Sequence, residues 1–175
     1  MQVPHVQAAV IASVRALFPQ GGGGGYKNMY HLFLRLGQDM CFGPDDCYSP
    51  DNPDAFTFCA YHASMDTTDA VGKPLHVVYS VMPFQNVSGC DVISEPFPNG
   101  KVADSTNTTL SHEIFEAITD PDSDAWYVTH SALSGSEIGD LCSGDDFQLT
   151  LNGRPYLIQL EYDNATHSCN SVPSP

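Results

Sequence analysis

Basic residues are scarce in this 175-residue chain: six lysines and arginines stand against 21 aspartates and glutamates, for a formal net charge of -15. A surface so short of cations repels phosphate backbones and anionic headgroups, which excludes nucleic acid and acidic membrane surfaces as partners. Also missing is any apolar run approaching the roughly eighteen residues of a membrane-crossing helix, so no span is predicted. A secretory leader is not legible either. No basic segment precedes the first apolar stretch, and Val6–Phe18 is interrupted by Arg15. It reads instead as an amphipathic helix with Val6, Val10, Val14 and Leu17 on one side, stopped by Pro19.

No CxxC pair and no internal repeat occur. The six cysteines are an even count in a chain rich in Gly, Pro, Asn and Ser, and read as three disulfides made in an oxidising compartment. Of the roughly 15 connectivities that six cysteines allow, the expected one joins Cys142 to Cys169, Cys59 to Cys90, and Cys41 to Cys47. At 42% hydrophobic residues the chain can bury a proper core, and its length suits a single monomeric domain.

Gly21–Gly25 reads as a flexible connector between helix and strand. Strands are predicted over Tyr30–Leu36, Phe56–His62 and Leu75–Met82, the last nearly continuous in apolar residues and so a candidate central strand. Cys41–Pro53 and Pro83–Gly100 read as loops. Asn152-Gly153 between Phe147–Leu151 and Pro155–Tyr162 is a strong hairpin signal.

What is present is a motif of metal-site type, against which stands the plainer reading of an amphipathic helix with His and Glu on its exposed face. Asp104–Pro121 (DSTNTTLSHEIFEAITDP) predicts a helix that Ser105 or Thr106 caps and Pro121 ends, with an apolar stripe of Leu110, Ile114, Ala117 and Ile118. On it His112 and Glu116 lie four apart, one above the other, while Glu113 sits one step around. This is the zincin HExxH pattern with its second histidine replaced by glutamate. In HExxH the histidines hold zinc and the glutamate is the general base, so Glu113 keeps that role here and Glu116 becomes a ligand.

A third ligand must come from outside the helix, and the segment GSEIGDLC offers Glu137 and Asp140. One would bind directly and the other would orient a ligand, with Glu137 the slightly favoured direct ligand. Zinc is the expected ion, with manganese, iron and calcium open because two carboxylates make the site hard. Asp120, Asp122 and Asp124 form a D-x-D-x-D run that could hold Ca2+, although the glycine and glutamate of a true EF-hand loop are absent. Tyr127 is a candidate oxyanion donor, with packing of Trp126-Tyr127 under the helix as the plainer expectation. His62 is a possible additional site residue or a structural hydrogen bonder.

The blocks FCAYHA, YSVMPF, NGKVADSTNTTLSHEIFEAITDPDSDAWY, SEIGDLC and LNGRPYLIQLEYDNATHSC occur in this order between Tyr30 and Cys169. In them the chain resembles the EXORDIUM-like, phosphate-induced secreted proteins of plants and their microbial relatives. The plant members usually read Asn-Pro where this chain has Asp120-Pro121. The resemblance implies an extracellular protein with a zincin-like α+β fold, in which a mixed sheet supports the metal helix. It also implies that this chain is an N-terminally truncated fragment. The function expected is that of a secreted metal-dependent hydrolase acting on a peptide or other extracellular substrate. The alternative is a non-catalytic extracellular binding or signalling protein with a structural metal.

Overall fold

A computed structural model describes residues 1–171, which fall into two compact units, the first Met1–Phe84 and the second beginning at Gln85. Both helices and strands contribute, with a mixed sheet and C-terminal hairpins, so the class is α+β.

The first unit opens with α1, Val3–Leu17. Pro4 fits the first turn, where its missing N–H costs nothing, and Val6, Val10 and Val14 recur at the helical period and are buried. Arg15 anchors the helix end by donating to the Thr68 carbonyl at 3.0 and 2.8 Å. The glycine run that follows is not a free connector. Gly25 N–H donates to the His76 carbonyl at 2.8 Å and Gly22 N–H to Asp69 Oδ2 at 2.9 Å. A Cβ on Gly24 would come 2.3 Å from the His76 carbonyl oxygen, so the low side-chain bulk serves close backbone packing.

Next come β1 (Met29–Phe33), β2 (Met40–Gly43), β3 (Asp46–Tyr48), β4 (Tyr61–Thr68) and β5 (Pro74–Met82). The three-stranded sheet has the order β1-β5-β4, with β1 parallel and β4 antiparallel to the central β5. The continuous apolar run therefore marked the middle strand correctly. Two expectations change. The segment read as a loop from Cys41 contains the β2–β3 hairpin, whose partners Cys41 and Cys47 are disulfide-bonded. The strand expected over Phe56–His62 starts only at Tyr61, because all eight residues of Tyr61–Thr68 pair with β5. Phe56 and Phe58 serve an aromatic cluster with Tyr48, Phe42 and Tyr61 instead.

The second unit carries α2 (Lys101–Thr119), a short 3-10 turn at Asp140–Cys142, and β6 (Asp146–Leu151) paired with β7 (Arg154–Gln159). Asn152 and Gly153 join these strands with φ of 50° and 74°, the left-handed pair that a tight hairpin turn requires. The strand expected over Pro155–Tyr162 is broken at Leu160, whose N–H turns to the Asp145 carbonyl at 2.7 Å. Its remainder is β8 (Glu161–Asp163), paired with β9 (Ser168–Asn170). Cys142–Cys169 ties the 3-10 turn to β9, and Cys59 and Cys90 are each disulfide-bonded as well. No helix among the described residues is long and apolar enough to cross a membrane.

Candidate metal centre

The helix α2 buries its polar side. Its buried residues are Asp104, Ser105, Thr108, Ser111, Glu113, Glu116 and Ala117, whereas Ile118 is 69% exposed. Of the apolar stripe expected to face the core, Ala117 is buried, Leu110 and Ile114 are half-buried and Ile118 is exposed. Unpaired, each such polar group would cost about 1–3 kcal/mol, and partners are provided. Asp104 accepts the backbone N–H and side-chain amide of Asn99, each at 2.9 Å. Ser111 donates to the Thr108 carbonyl at 2.7 Å and accepts the Gln159 N–H at 3.0 Å. Neither Ser105 nor Thr106 caps the helix. It starts after Gly100, and their hydroxyls donate back to the Lys101 and Val102 carbonyls.

Immediately after Ser111, the His112 Nε2 lies 3.1 Å from Glu116 Oε2 and 3.7 Å from Asp140 Oδ1. The pair four apart on the helix meets as the motif predicts, and the 3-10 turn delivers the third group. Glu116 Oε1 fixes that turn by accepting the Asp140 N–H at 3.1 Å, while Asp140 Oδ2 accepts the Glu137 N–H at 3.0 Å. A Glu137 carboxylate oxygen also comes within 4.8 Å of one on Glu116. Behind the ring, Gln159 Nε2 donates to the Gly139 carbonyl at 2.9 Å, and its amide faces His112 Nδ1 from 3.0 Å (Nε2) and 3.3 Å (Oε1). With the ring proton on Nδ1 given to Oε1, Nε2 presents its lone pair to the carboxylate side.

Gly139 is required by proximity. A Cβ there would sit 2.7 Å from His112 Nδ1 and 2.9 Å from Glu116 Oε1. Gly139→Ala is therefore expected to displace both side chains and weaken divalent-ion affinity by about 10- to 100-fold, the usual effect of disturbing groups that orient ligands. Calorimetric titration of the chelated protein measures it.

Sequence reasoning missed Gln159, Gly139 and Glu161. Glu161 opens β8, and both its carboxylate oxygens are shut from solvent without a hydrogen-bond partner among the described residues. A signal did exist: Gln159 and Glu161, two apart, are the polar interruptions of the run PYLIQLEY. Burial pushes the Glu161 carboxyl up; the charge of His112 opposes this and those of Glu116, Asp140 and Glu113 add to it, for a value of about 8. Burial lowers the His112 pKa, but the Glu116 hydrogen bond and the charges of Glu116, Glu113 and Asp140 overcome it and push the ring to about 10.

Both shifts are upward, so both make the fold hold protons more tightly than the unfolded chain does. The Glu161 contribution is complete below pH 4.5 and lost as pH rises through about 8; that of His112 is complete below 6.5 and lost through about 10. The chelated protein should thus lose melting temperature steadily from pH 5 to pH 10. A flat profile in a calorimetric pH series would contradict the arrangement.

Glu113 is buried on α2, close enough for its charge to act on His112 and Glu161. His62 is a buried residue of β4 in the first unit. Tyr127 is 42% exposed in the loop after α2, not packed under the helix, while Trp126 lies tilted against Tyr162 with ring centres 6.1 Å apart. Asp120 Oδ1 is taken up by the N–H groups of Asp124 and Ala125, each at 2.7 Å, so Asp120 serves to cap the helix exit. Among the described residues, Asp120, Asp122 and Asp124 form no group of converging ligands.

Comparison with family models, with curated proteins and with solved structures yields no match to this chain.

Proposed function

We propose that the chain is a secreted metal-dependent hydrolase of peptidase type, with His112, Glu116 and Asp140 as ligands and Glu113 as general base. A zincin-like plan and kinship with EXORDIUM-like proteins belong to the same proposal, supported by the order of the sequence blocks. The observation that carries it is the convergence of one imidazole nitrogen and two carboxylate oxygens within 4.8 Å of one another. Ligands about 2.0–2.1 Å from a tetrahedral zinc stand roughly 3.3 Å apart, close to the 3.1 and 3.7 Å separations found here. The partnerless oxygens of Glu161 beside this group, and the cradle that Gly139 leaves open, fit the same conclusion.

When bound, the ion would polarise a carbonyl and lower the pKa of water. The residues of the chain do the rest. Gln159 holds the His112 ring at Nδ1 and, through the Gly139 carbonyl, holds the turn that carries Asp140. Glu113, buried among other acids, accepts the proton of the attacking water at its carboxylate and passes it to the leaving group.

A second reading is favoured by the donor set itself. With two anionic ligands and three further carboxylates at hand, the ion is less electrophilic than in a His-rich site, which suits a structural metal in a binding protein. The two are separated by chelating the protein, returning zinc, manganese or calcium in turn, and assaying a broad peptide library. Cleavage that returns with one metal supports the hydrolase. Full metal occupancy with no cleavage supports the binding protein.

A further inference from the structure

We propose that an apolar cavity flanking the metal centre receives a large apolar side chain of a neutral or basic peptide substrate; this rests on the hydrolase reading above. The cavity measures about 450 Å³ and is walled by Phe115, Trp126, Ile138, Phe147, Ile158 and Tyr162. Phe147 and Ile158 face each other across the β6–β7 pair. A space of this size and character is typical of small-molecule and side-chain recognition.

Its position relative to the centre follows from chain neighbours. Phe115 precedes the ligand Glu116, Ile138 precedes Gly139 and Asp140, and Gln159 both lines the cavity and holds the His112 ring. A peptide whose scissile carbonyl lay at the ligands would have an adjacent side chain within reach of this space. Phe115 is 39% exposed on α2, an apolar ring left facing outward beside the site.

Charge selects the occupant further. Among the described lining, Glu161 and Asp163 bring carboxyl groups, and no Lys, Arg or His lines it. With the net charge of -15, an acidic side chain is disfavoured relative to a neutral or basic one. A Phe- or Leu-like side chain would gain about 25 cal/mol for each Å² it buries and meet no such repulsion.

Trp126 is the only tryptophan of the chain and lies in the cavity wall, so intrinsic fluorescence reports on this space. The blocked tripeptide amides acetyl-Ala-Phe-Ala, acetyl-Ala-Ala-Ala and acetyl-Ala-Glu-Ala are titrated into the chelated protein, where no turnover interferes. A saturable emission change at least tenfold tighter for the Phe peptide is expected. Ile158→Phe, which fills the cavity, and Phe115→Ala, which removes a wall at an exposed position, should each weaken it by tenfold without altering metal content. Equal binding of the three peptides, or no change for the Phe peptide, overturns the proposal. Selective binding with no cleavage by the metal-loaded protein leaves the pocket standing and removes the hydrolase reading. Cleavage with no preference for Phe over Glu removes the pocket alone.

Discussion

Glu113→Gln is expected to lower peptide cleavage by about 10²- to 10⁴-fold, the usual contribution of a positioned general base, with metal content unchanged. The substitution keeps the shape of a side chain that is 3% exposed, so packing on α2 is preserved. What it removes is the basic oxygen and one negative charge. Because that charge helps hold the His112 proton and raises the Glu161 carboxyl, its loss should also draw the Glu161 pKa down. The variant is read by kcat/KM on a cleaved peptide together with elemental analysis. Unchanged cleavage would assign the proton transfer to another group, and lost metal would make Glu113 a ligand.

Glu116→Ala should do greater structural damage. Glu116 is 4% exposed and makes two separate attachments, one oxygen to His112 Nε2 at 3.1 Å and the other to the Asp140 N–H at 3.1 Å. Truncation leaves the buried imidazole without its nearest carboxylate and releases the 3-10 turn from the helix. Removing one partner of a buried pair costs about 3–5 kcal/mol, and tight metal binding should vanish with it. Chemical denaturation of wild type and variant gives the stability loss. A loss below about 1 kcal/mol, in the range of an exposed pair, would show that Glu116 does not bind the site together.

How far the residues themselves announced this arrangement differs from element to element. The His112–Glu116 meeting was legible because helical periodicity alone places positions four apart on one face. The central position of β5, the Asn152-Gly153 turn and the cysteine pair 41–47 were legible for similar local reasons, whereas the pair 142–169, 27 residues apart, was one choice among many connectivities. The orientation of α2 was not. Hydrophobic pattern assigns the apolar stripe to the interior, yet here the polar side is buried and held by Asn99, Gln159 and the helix's own carbonyls. Departures of this kind from local pattern are expected at functional or strained sites. Glu161 escaped notice because its place depends on the break at Leu160, a tertiary bond to Asp145 with no local signature. The glycine run looked like a linker since composition cannot reveal that His76 and Asp69 lie against it.

The most direct measurement is X-ray absorption on protein dialysed against trace zinc, with the bound ion counted by elemental analysis. One ion per chain with a single imidazole nitrogen and at least two carboxylate oxygens in its coordination shell is predicted, and the imidazole signal should disappear in His112→Ala. An ion lost on dialysis, or a shell with no imidazole, would contradict the proposed centre.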